Sequence, residues 1–345
     1  MAATLAPPTD SFGQDGRVRT IDWRDDHVVI IDQTRLPDVL VSLHLHTVDD
    51  LVDAIRRLAV RGAPALGVAG ALGVALAALS TSDPAEVRAL AARVRAARPT
   101  AVNLAWGVDR VLALLDHGAA AVVAEAVTVL EDDVRLNRAL GHRGADWLQA
   151  RVPGPINAHT HCNAGALACV EWGTALGVLR ALHERDALGH VYADETRPLL
   201  QGARITAWEL ARLGVAHTLV VDSAGPSVIA NGLVHAVVVG ADRIAANGDV
   251  VNKIGTYPLA LAAARAGIPF VVAAPESTVD LATPSGAAIP IEIRAADEVT
   301  GFGGARTAPE GTGALNYAFD VTPADLVTAI VTEARVVEPA AGGAI

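Results

Sequence analysis

Lysine and cysteine are nearly absent from this chain of 345 residues. Lys253 is the single lysine, so arginine supplies all the other fixed positive charges. The two cysteines, Cys162 and Cys169, have a spacing that suits neither a metal site nor a redox motif, and two cysteines make no disulfide framework. A reducing cytoplasmic compartment fits this composition.

Aromatic residues are also scarce, at 3% of a chain that is 52% hydrophobic, so the core must consist of alanine, valine and leucine. The most apolar stretch, Ala65–Leu79, is shorter than the roughly 20 residues that cross a bilayer. We therefore expect a buried helix there and no membrane partner. The start of the chain, Met1–Arg17, has no signal-peptide pattern and is expected to be a disordered leader.

Basic residues are fewer than acidic residues, and the net charge is −11. A nucleic-acid partner is not expected, because phosphate backbones are bound by basic surfaces. A small anion can still bind to a few arginines, a lysine and backbone N–H groups.

The hydrophobic pattern predicts two domains of an α/β protein. Short β-rich runs at Val28–Ile31 and Val39–Leu45 predict a small antiparallel sheet, and the pattern from Val48 to Gln149 is helical. The break at Pro153-Gly154-Pro155 precedes alternating strands and helices, which indicate a Rossmann-like domain with a mostly parallel sheet. The predicted divisions are a leader at 1–17, a sheet and helical domain at 18–150, a Rossmann-like domain at 151–337 and a flexible tail at 338–345.

Apolar runs in the second half end repeatedly in polar loops. Val234–Val239 ends at Gly240-Ala241-Asp242, and Val191–Ala193 ends at Asp194-Glu195-Thr196-Arg197. Ligands of parallel sheets bind beyond the carboxyl ends of the strands, where these loops fall.

Cys162 follows another such run and precedes a predicted helix that runs to Leu182. A thiol at a helix N-terminus has its thiolate favoured by the helix dipole. Cys169 would lie inside that helix as a small core residue. His159 and His161 could bind a metal, but no third ligand pattern follows, so we expect no metal; they could also pack, orient a neighbour or form a Cys–His pair.

Asp242 ends the most apolar predicted strand. An apolar surround disfavours the charged carboxylate, so we expect a raised pKa and a proton donor near neutral pH. The alternative is a structural aspartate that caps the turn into Arg243.

Arg61 and Arg98 each precede a predicted helix start, where N–H groups and a guanidinium together suit an anion. Lys253 also precedes a helix and could neutralise a phosphate. The alternatives are ordinary helix entries and a solvated lysine. Thr100 is a candidate helix cap, and the charged loop 194–197 before Gln201 is most simply a solvated loop.

Several long motifs resemble a known family, the methylthioribose-1-phosphate isomerases of methionine salvage. This family is related to the alpha, beta and delta subunits of the eukaryotic initiation-factor nucleotide exchanger. The resemblance covers residues 18–335, and its main strings are RGAPALG (61–67), RPTAVNLAWGVDR (98–110), THCNAGALA (160–168), VYADETRPLLQGARITAWEL (191–210), VGADRIAANGDVVNKIGTYPLA (239–260) and AFDVTPADLVTAIVTE (318–333).

The resemblance implies a cytoplasmic homodimer without a cofactor, built from a small sheet and helical domain and a Rossmann-like domain. It implies that Cys162 and Asp242 are the catalytic pair, with Asp242 the proton donor. Its substrate-binding positions correspond here to Arg61, Gly62, Ala63, Arg98, Gln201, Asn252 and Lys253.

The implied reaction turns an aldose 1-phosphate into a ketose 1-phosphate by acid-assisted ring opening and hydride or proton transfer between C2 and C1. The run Ser223–Pro226 departs from the family pattern and could line the pocket for the 5-substituent. An isomerase of 5-deoxyribose 1-phosphate is therefore an alternative. Two other classes remain: an isomerase of ribose 1,5-bisphosphate, which would need extra basic groups that are not evident, and a non-catalytic regulatory subunit of the exchange-factor type.

Overall fold

The computed structural model describes residues 19–99 and 101–345. The predictions for the leader at 1–17 and for a cap at Thr100 lie outside these residues. The chain forms two compact units. The first comprises the described residues up to Arg138 together with Ala164–Gly173, and the second comprises Ala139–Asn163 and Thr174–Ile345.

The first unit begins with the predicted small antiparallel sheet, in the order β1-β2-β3. Its strands are β1 (Ile21–Arg24), β2 (His27–Ile31) and β3 (Ser42–Leu45). One face, which includes Val28, Ile30 and Leu45, packs into the hydrophobic core.

Helices form the rest of this core. They are α1 (Val48–Arg56), α2 (Ala63–Ser80), α3 (Pro84–Arg95), α4 (Val102–Leu112) and α5 (Ala119–Gln149). Helix α2 is long and apolar enough to cross a membrane, but its residues 65–78 are all buried inside the protein. The prediction of a buried core helix at this position is therefore confirmed.

Glycines allow α2 and α4 to pack in close contact. A Cβ atom on Gly107 would lie 1.9 Å from the carbonyl oxygen of Gly67, and one on Gly70 would lie 2.5 Å from that of Leu104. Gly67 also faces the backbone of Asn103, the second residue of α4. Because Gly67 lies near the start of α2, both helices begin at the same end of the packed pair.

The long helix α5 contributes to both units, since residues 119–138 belong to the first and residues 139–149 to the second. The division predicted after residue 150 marks the end of this helix, whereas the compact units divide within it.

The second unit contains a seven-stranded sheet in the order β16-β15-β10-β7-β4-β5-β6. Its strands are β4 (Ile156–Thr160), β5 (Leu188–Asp194), β6 (His217–Val220), β7 (Ala236–Val239), β10 (Phe270–Ala273), β15 (Ala329–Val331) and β16 (Val336–Val337). All neighbours are parallel except β15 and β16. The predicted Rossmann-like, mostly parallel sheet is confirmed. Strands β7 and β10 are fully buried, as their valine-rich sequences predict.

Smaller elements complete the second unit. Its helices are α6 (Ala175–His183), α7 (Ala207–Arg212), α8 (Gly225–Ala230), α9 (Thr256–Ala266) and α10 (Asp297–Thr300). A four-stranded sheet, in the order β11-β8-β9-β14, contains β8 (Arg243–Ala245), β9 (Val250–Lys253), β11 (Val279–Asp280) and β14 (Phe319–Thr322). Strands β12 (Gly301–Phe302) and β13 (Ala305–Arg306) form a hairpin.

The tail after Val337 is not disordered, which corrects the prediction. Glu338 accepts hydrogen bonds from the Trp147 indole at 2.8 Å and the Arg151 guanidinium at 2.6 Å. The backbone N–H of Ala340 donates to Val327, and Ile345 packs against a hydrophobic core cluster. A Pro-Ala-Gly composition led to the wrong expectation, because these partners lie far away in sequence.

Candidate active site

Cys162 and Asp242 follow the two strands that flank the topological switch point of the large sheet. The chain runs from β4 outward through β5 to β6 and then crosses to β7, on the other side of β4. In parallel sheets the crevice at such a switch point binds ligands. The register places His159 of β4 beside Val237 of β7, so the two loops leave the same edge of the sheet.

Cys162 has a left-handed backbone conformation, with φ +64°, which non-glycine residues seldom adopt. Its N–H donates to the Thr196 hydroxyl oxygen at 2.9 Å, and its carbonyl accepts from the Thr206 hydroxyl at 2.6 Å. The side-chain amide nitrogen of Gln201 lies 3.4 Å from the Cys162 sulfur. Three side chains from the segment that follows β5 thus hold Cys162, two through its backbone and one at its half-buried thiol.

Thr196 is fixed in turn by Asp222. One carboxylate oxygen accepts the N–H of Thr196 at 2.7 Å, and the other accepts the N–H of Arg197 at 2.6 Å. The loop folds tightly over the end of β5, because a Cβ atom on Gly202 would lie 1.7 Å from the Asp194 carbonyl oxygen. A side chain at position 202 would therefore displace the Gln201 segment.

A buried ionic cluster lies at the ends of β4 and β5. Asp194 receives hydrogen bonds from His159 at 3.0 Å and from His161 at 2.8 Å, and all three side chains are almost completely inaccessible to solvent. Burial by itself favours neutral Asp194, but the bonds from both histidines outweigh it and lower the pKa of this carboxyl. Burial likewise opposes a charge on His161, yet its hydrogen bond to Asp194 raises the pKa of the imidazole.

The geometry assigns His161 as an imidazolium. Its Nδ1 faces the Asp194 carboxylate, and its Nε2 lies 2.8 Å from the Ile254 carbonyl oxygen. Both partners are acceptors, so both ring nitrogens must donate. One ligand atom each of His161, Asp194 and Asp222 lies within 4.8 Å of the others, a spacing that could hold a metal ion. A doubly protonated ring has no lone pair for a metal, so the cluster fits an ion pair better.

Asp242, Asn252 and Lys253 lie around strand β9. The Asp242 N–H donates to the Val251 carbonyl at 2.9 Å, next to Asn252. Asn252 is buried and donates to the Thr256 hydroxyl at 3.0 Å, whereas the Lys253 ammonium lies 4.4 Å from the centre of the Phe319 ring. Ile254, the partner of His161, comes directly after Lys253. All five predicted residues Cys162, Gln201, Asp242, Asn252 and Lys253 belong to the second unit, and the His161–Ile254 hydrogen bond links the Cys162 loop to the loop after β9.

Asp320 is a further acidic group in this region. It lies opposite Asn252 in the pairing of β14 with β9 and accepts the N–H groups of Gly255 and Tyr257 at the start of α9. Its other oxygen is buried without a hydrogen-bond partner among the described residues. Burial outweighs these two hydrogen bonds and raises the pKa of Asp320.

Arg61, Gly62 and Ala63 form the entry to α2 in the first unit. Gly62 has φ +98°, and a Cβ atom there would lie 2.5 Å from the backbone of Ala168. The entry therefore packs against the segment 164–173, which starts two residues after Cys162 in the sequence.

Arg98 is half-buried in the turn between α3 and α4, where its carbonyl accepts the N–H of Ala101 at 3.0 Å. Because α2 and α4 begin at the same end of their packed pair, the Arg61 and Arg98 segments lie at one end of the first unit's helices. This arrangement is compatible with the predicted shared anion site.

Two expectations about the site are wrong. The helix that was to begin after Cys162 is replaced by a single 3₁₀ turn at Ala166–Ala168, and α6 begins only at Ala175. Cys169 is extended and Gly173 has φ +91°, so neither continues a helix, although Cys169 is fully buried as predicted. The dipole argument for the Cys162 thiolate therefore has no basis.

The loop 194–197 is the second correction, since Asp194 and Thr196 are buried rather than solvated. Sequence reasoning also missed Thr206, Asp222 and Asp320. The positions of two of these carboxylates in the sequence could have indicated the cluster. Asp194 and Asp222 follow neighbouring parallel strands, and the carboxyl ends of such strands meet at one edge of a sheet.

Known proteins match this chain over most of its length. Residues 59–339 match the model of a family described as the initiation factor 2 subunit family. A Nocardia farcinica protein named probable bifunctional methylthioribose-1-phosphate isomerase/methylthioribulose-1-phosphate dehydratase is 56% identical over 92% of this chain. The chain spans only 59% of that relative. The methylthioribose-1-phosphate isomerase of Alkalilimnicola ehrlichii is 48% identical over 95% of this chain and 96% of its own length.

A solved structure agrees with these relatives. The crystal structure of 5-methylthioribose 1-phosphate isomerase from Pyrococcus horikoshii OT3 superposes with a TM-score of 0.85 at 41% identity. The match covers 93% of this chain and 92% of that one.

Proposed function

The chain belongs to the initiation factor 2 subunit family, and on that premise we propose that it converts 5-methylthioribose 1-phosphate to 5-methylthioribulose 1-phosphate. It is an aldose–ketose isomerase of methionine salvage. The observation that carries this proposal is the location of Cys162 and Asp242 after the two strands that flank the switch point, in a chain similar along its length to such isomerases.

The substrate explains why an acid is needed. Its anomeric oxygen carries the phosphate, so the ring cannot open to a free aldehyde. Asp242, as the neutral acid, protonates the ring oxygen while the bond from that oxygen to C1 breaks. General acids at such steps contribute on the order of 10²–10⁴-fold to the rate.

Ring opening leaves an electron-poor C1 next to the C2 hydroxyl. Either a hydride moves from C2 to C1 as the C2 hydroxyl loses its proton, or a base removes the C2 proton to give an enol phosphate. Both routes end at the ketose 1-phosphate. Cys162 lies at C1–C2 in this proposal, where it stabilises or relays charge. Gln201, whose side-chain oxygen is buried without a hydrogen-bond partner in the described structure, offers that oxygen to a substrate hydroxyl.

His161 has a positioning role. As a fixed imidazolium it joins the Cys162 loop, the end of β5 and the Ile254 loop through two hydrogen bonds. It has no free lone pair with which to act as the base. Its positive charge is balanced by the Asp194 carboxylate, so its contribution is to fix the loop that carries Cys162.

The candidates for binding the phosphate are Arg61, Arg98 and the backbone N–H groups of Gly62 and Ala63 in the first unit, and Lys253 in the second. Guanidinium groups and helix starts suit a phosphate because each supplies directed N–H donors. Asn252 orients the sugar. We also propose that the working unit is a cytoplasmic homodimer. Light scattering tests the dimer by giving either one or two copies of the 35.4 kDa chain per particle.

A substrate panel tests the proposal. The purified chain is assayed with 5-methylthioribose 1-phosphate, 5-deoxyribose 1-phosphate and ribose 1,5-bisphosphate, and the ketose products are measured. We expect the highest kcat/KM with the first. Preference for the second would reassign the 5-substituent pocket near Ser223–Pro226. No turnover of any of the three by a folded chain would contradict the isomerase and favour a non-catalytic regulatory subunit.

A further inference from the structure

Three histidines and an aspartate form a cluster on the small sheet of the first unit, outside the proposed isomerase machinery. His44 and His46 are two residues apart at the end of β3, so they point to the same side of the strand. The register of β2 with β3 pairs Val28 with Leu45 and Val29 with His44, which places His27 opposite His46. Asp26 precedes His27 in the turn.

The four side chains are close together. The Nε2 atom of His27 lies 2.8 Å from Nδ1 of His44, and the rings of His27 and His46 are stacked with centroids 4.4 Å apart. The Nδ1 atom of His27 lies 3.4 Å from a carboxylate oxygen of Asp26. One potential ligand atom each from Asp26, His27 and His46 lies within 4.8 Å of the others.

The Nδ1 atom of His27 is the informative one, because it is buried and makes no hydrogen bond in the described structure. When His27 donates its Nε2 proton to His44, Nδ1 carries a lone pair that faces the Asp26 carboxylate. Two electron-rich atoms then face each other, and a cation between them removes the repulsion. In metal sites a histidine usually binds through one nitrogen while the other is held by a neighbouring group.

We propose that Asp26, His27 and His46 bind a divalent transition-metal ion of the zinc class, and that His44 orients the His27 ring. Two imidazoles and one carboxylate are a common ligand set for Zn²⁺ with a fourth position open to water. Ligand bonds of about 2.0–2.2 Å place neighbouring ligand atoms of a tetrahedral site roughly 3.4 Å apart. To bind the ion, the three ligand atoms must therefore move slightly closer together. The His46 ring must also rotate out of its stack on His27. Asp26 and His46 are exposed, which permits both this movement and entry of the ion.

Metal titration tests the site. An untagged, chelator-treated full-length chain is titrated calorimetrically with Zn²⁺, and Co²⁺ is added in parallel to detect the visible absorption of a tetrahedral site. We expect one ion per chain. His46→Ala and Asp26→Asn remove ligands, and His44→Gln removes the orienting partner and weakens binding on the order of 10–100-fold. Binding also weakens as the pH falls, because protons compete for the imidazoles.

The control is His117→Ala, which changes an exposed histidine of the same unit outside the cluster. It should bind Zn²⁺ like the wild type, and turnover of the sugar phosphate should be equal in His46→Ala and wild type. The proposal is overturned if uptake is not saturable below millimolar Zn²⁺, or if His46→Ala and His117→Ala bind equally well. Neither outcome depends on the isomerase assignment.

Discussion

At the scale of single residues, the left-handed backbone conformation of Cys162 must be stabilised by hydrogen bonds from its neighbours. A non-glycine residue with φ +64° stores on the order of 1–3 kcal/mol of strain, which the surrounding bonds must offset. The Thr196 and Thr206 hydroxyls bind both polar groups of its backbone. The thiol is therefore held in place before any substrate arrives.

Substitution of the two cysteines should separate function from packing. We expect Cys162→Ser to lose most activity, because the sulfur is the group presented beside Gln201. Cys169→Ala should retain kcat and lose about 1 kcal/mol of stability, since it deletes a fully buried side-chain atom. The direct measurement is alkylation of Cys162 with and without saturating product, and equal labelling rates would contradict its location in the binding site.

Replacement of the proposed acid tests the ring-opening step. Asp242→Asn keeps the shape of the side chain but cannot donate an acidic proton, so kcat should fall on the order of 10²–10⁴-fold while product still binds. Asp325→Asn, an exposed aspartate of the same unit, serves as the control. A folded Asp242→Asn variant with near wild-type kcat would exclude Asp242 as the acid.

At the residue scale the sequence correctly indicated that Asp242 follows a buried strand, while its role as the acid stays a prediction. Prediction from sequence failed at Asp194, because nothing in Asp194-Glu195-Thr196-Arg197 reveals that His159 and His161 come from the adjacent strand. Asp194 is buried, and the hydrogen bonds from these two histidines lower its pKa and keep it ionised.

At the scale of elements, the close glycine packing of α2 and α4 brings two helix starts to the same end. Arg98→Ala should weaken binding of the product ketose phosphate and of inorganic phosphate alike, by about 1.5–3 kcal/mol for a lost charged hydrogen bond. Calorimetry compares it with Arg61→Ala and with Arg88→Ala, an exposed control on α3. If Arg61→Ala and Arg98→Ala both bind product like the wild type, these helix starts do not contact the phosphate.

Helix α5 contains a carboxyl group whose ionisation opposes folding. Asp133 accepts the N–H of Val170 at 2.7 Å, and burial raises its pKa to about 7 against that hydrogen bond. An unfolded aspartate titrates near 3.9, so between about pH 4 and pH 7 the native state binds the extra proton. This group therefore makes the free energy of unfolding fall as the pH rises through that window and level off above it.

Asp133→Asn removes this titration while leaving an acceptor for Val170. Relative to wild type, the variant should be more stable at pH 8 than at pH 5, because only the wild type must ionise this partly buried carboxyl group. Urea unfolding at both pH values measures the difference. Asp146→Asn, an exposed aspartate of the same helix, controls for general charge effects. A stability difference that is the same at pH 5 and pH 8 would contradict the shifted titration.

The helix predicted to run from after Cys162 to Leu182 is an element that the local sequence pattern predicted wrongly. Residues 164–170 are small and apolar enough for a helix, but the segment 164–173 packs in the first unit, where Thr20 donates its N–H to the carbonyl of Val170 at 2.8 Å. Such long-range partners override local propensity, and the sequence pattern carries no record of them.

At the scale of the whole molecule, the two architectures and the mostly parallel sheet were predictable from periodicity, because buried strands and amphipathic helices leave different patterns. The strand order was not, since periodicity does not say on which side of β4 the chain returns after β6. Only that order shows that the loops of Cys162 and Asp242 follow neighbouring strands of the sheet.

The discontinuity of the first unit has a consequence for inheritance. Because it needs residues 164–173 as well as those before residue 139, no single uninterrupted piece of the gene encodes it. A fragment ending at Arg138 would lack Val170, the partner of both Thr20 and Asp133. A single contiguous gene segment therefore cannot transfer either unit by itself, because each unit is encoded in two separate stretches of the gene.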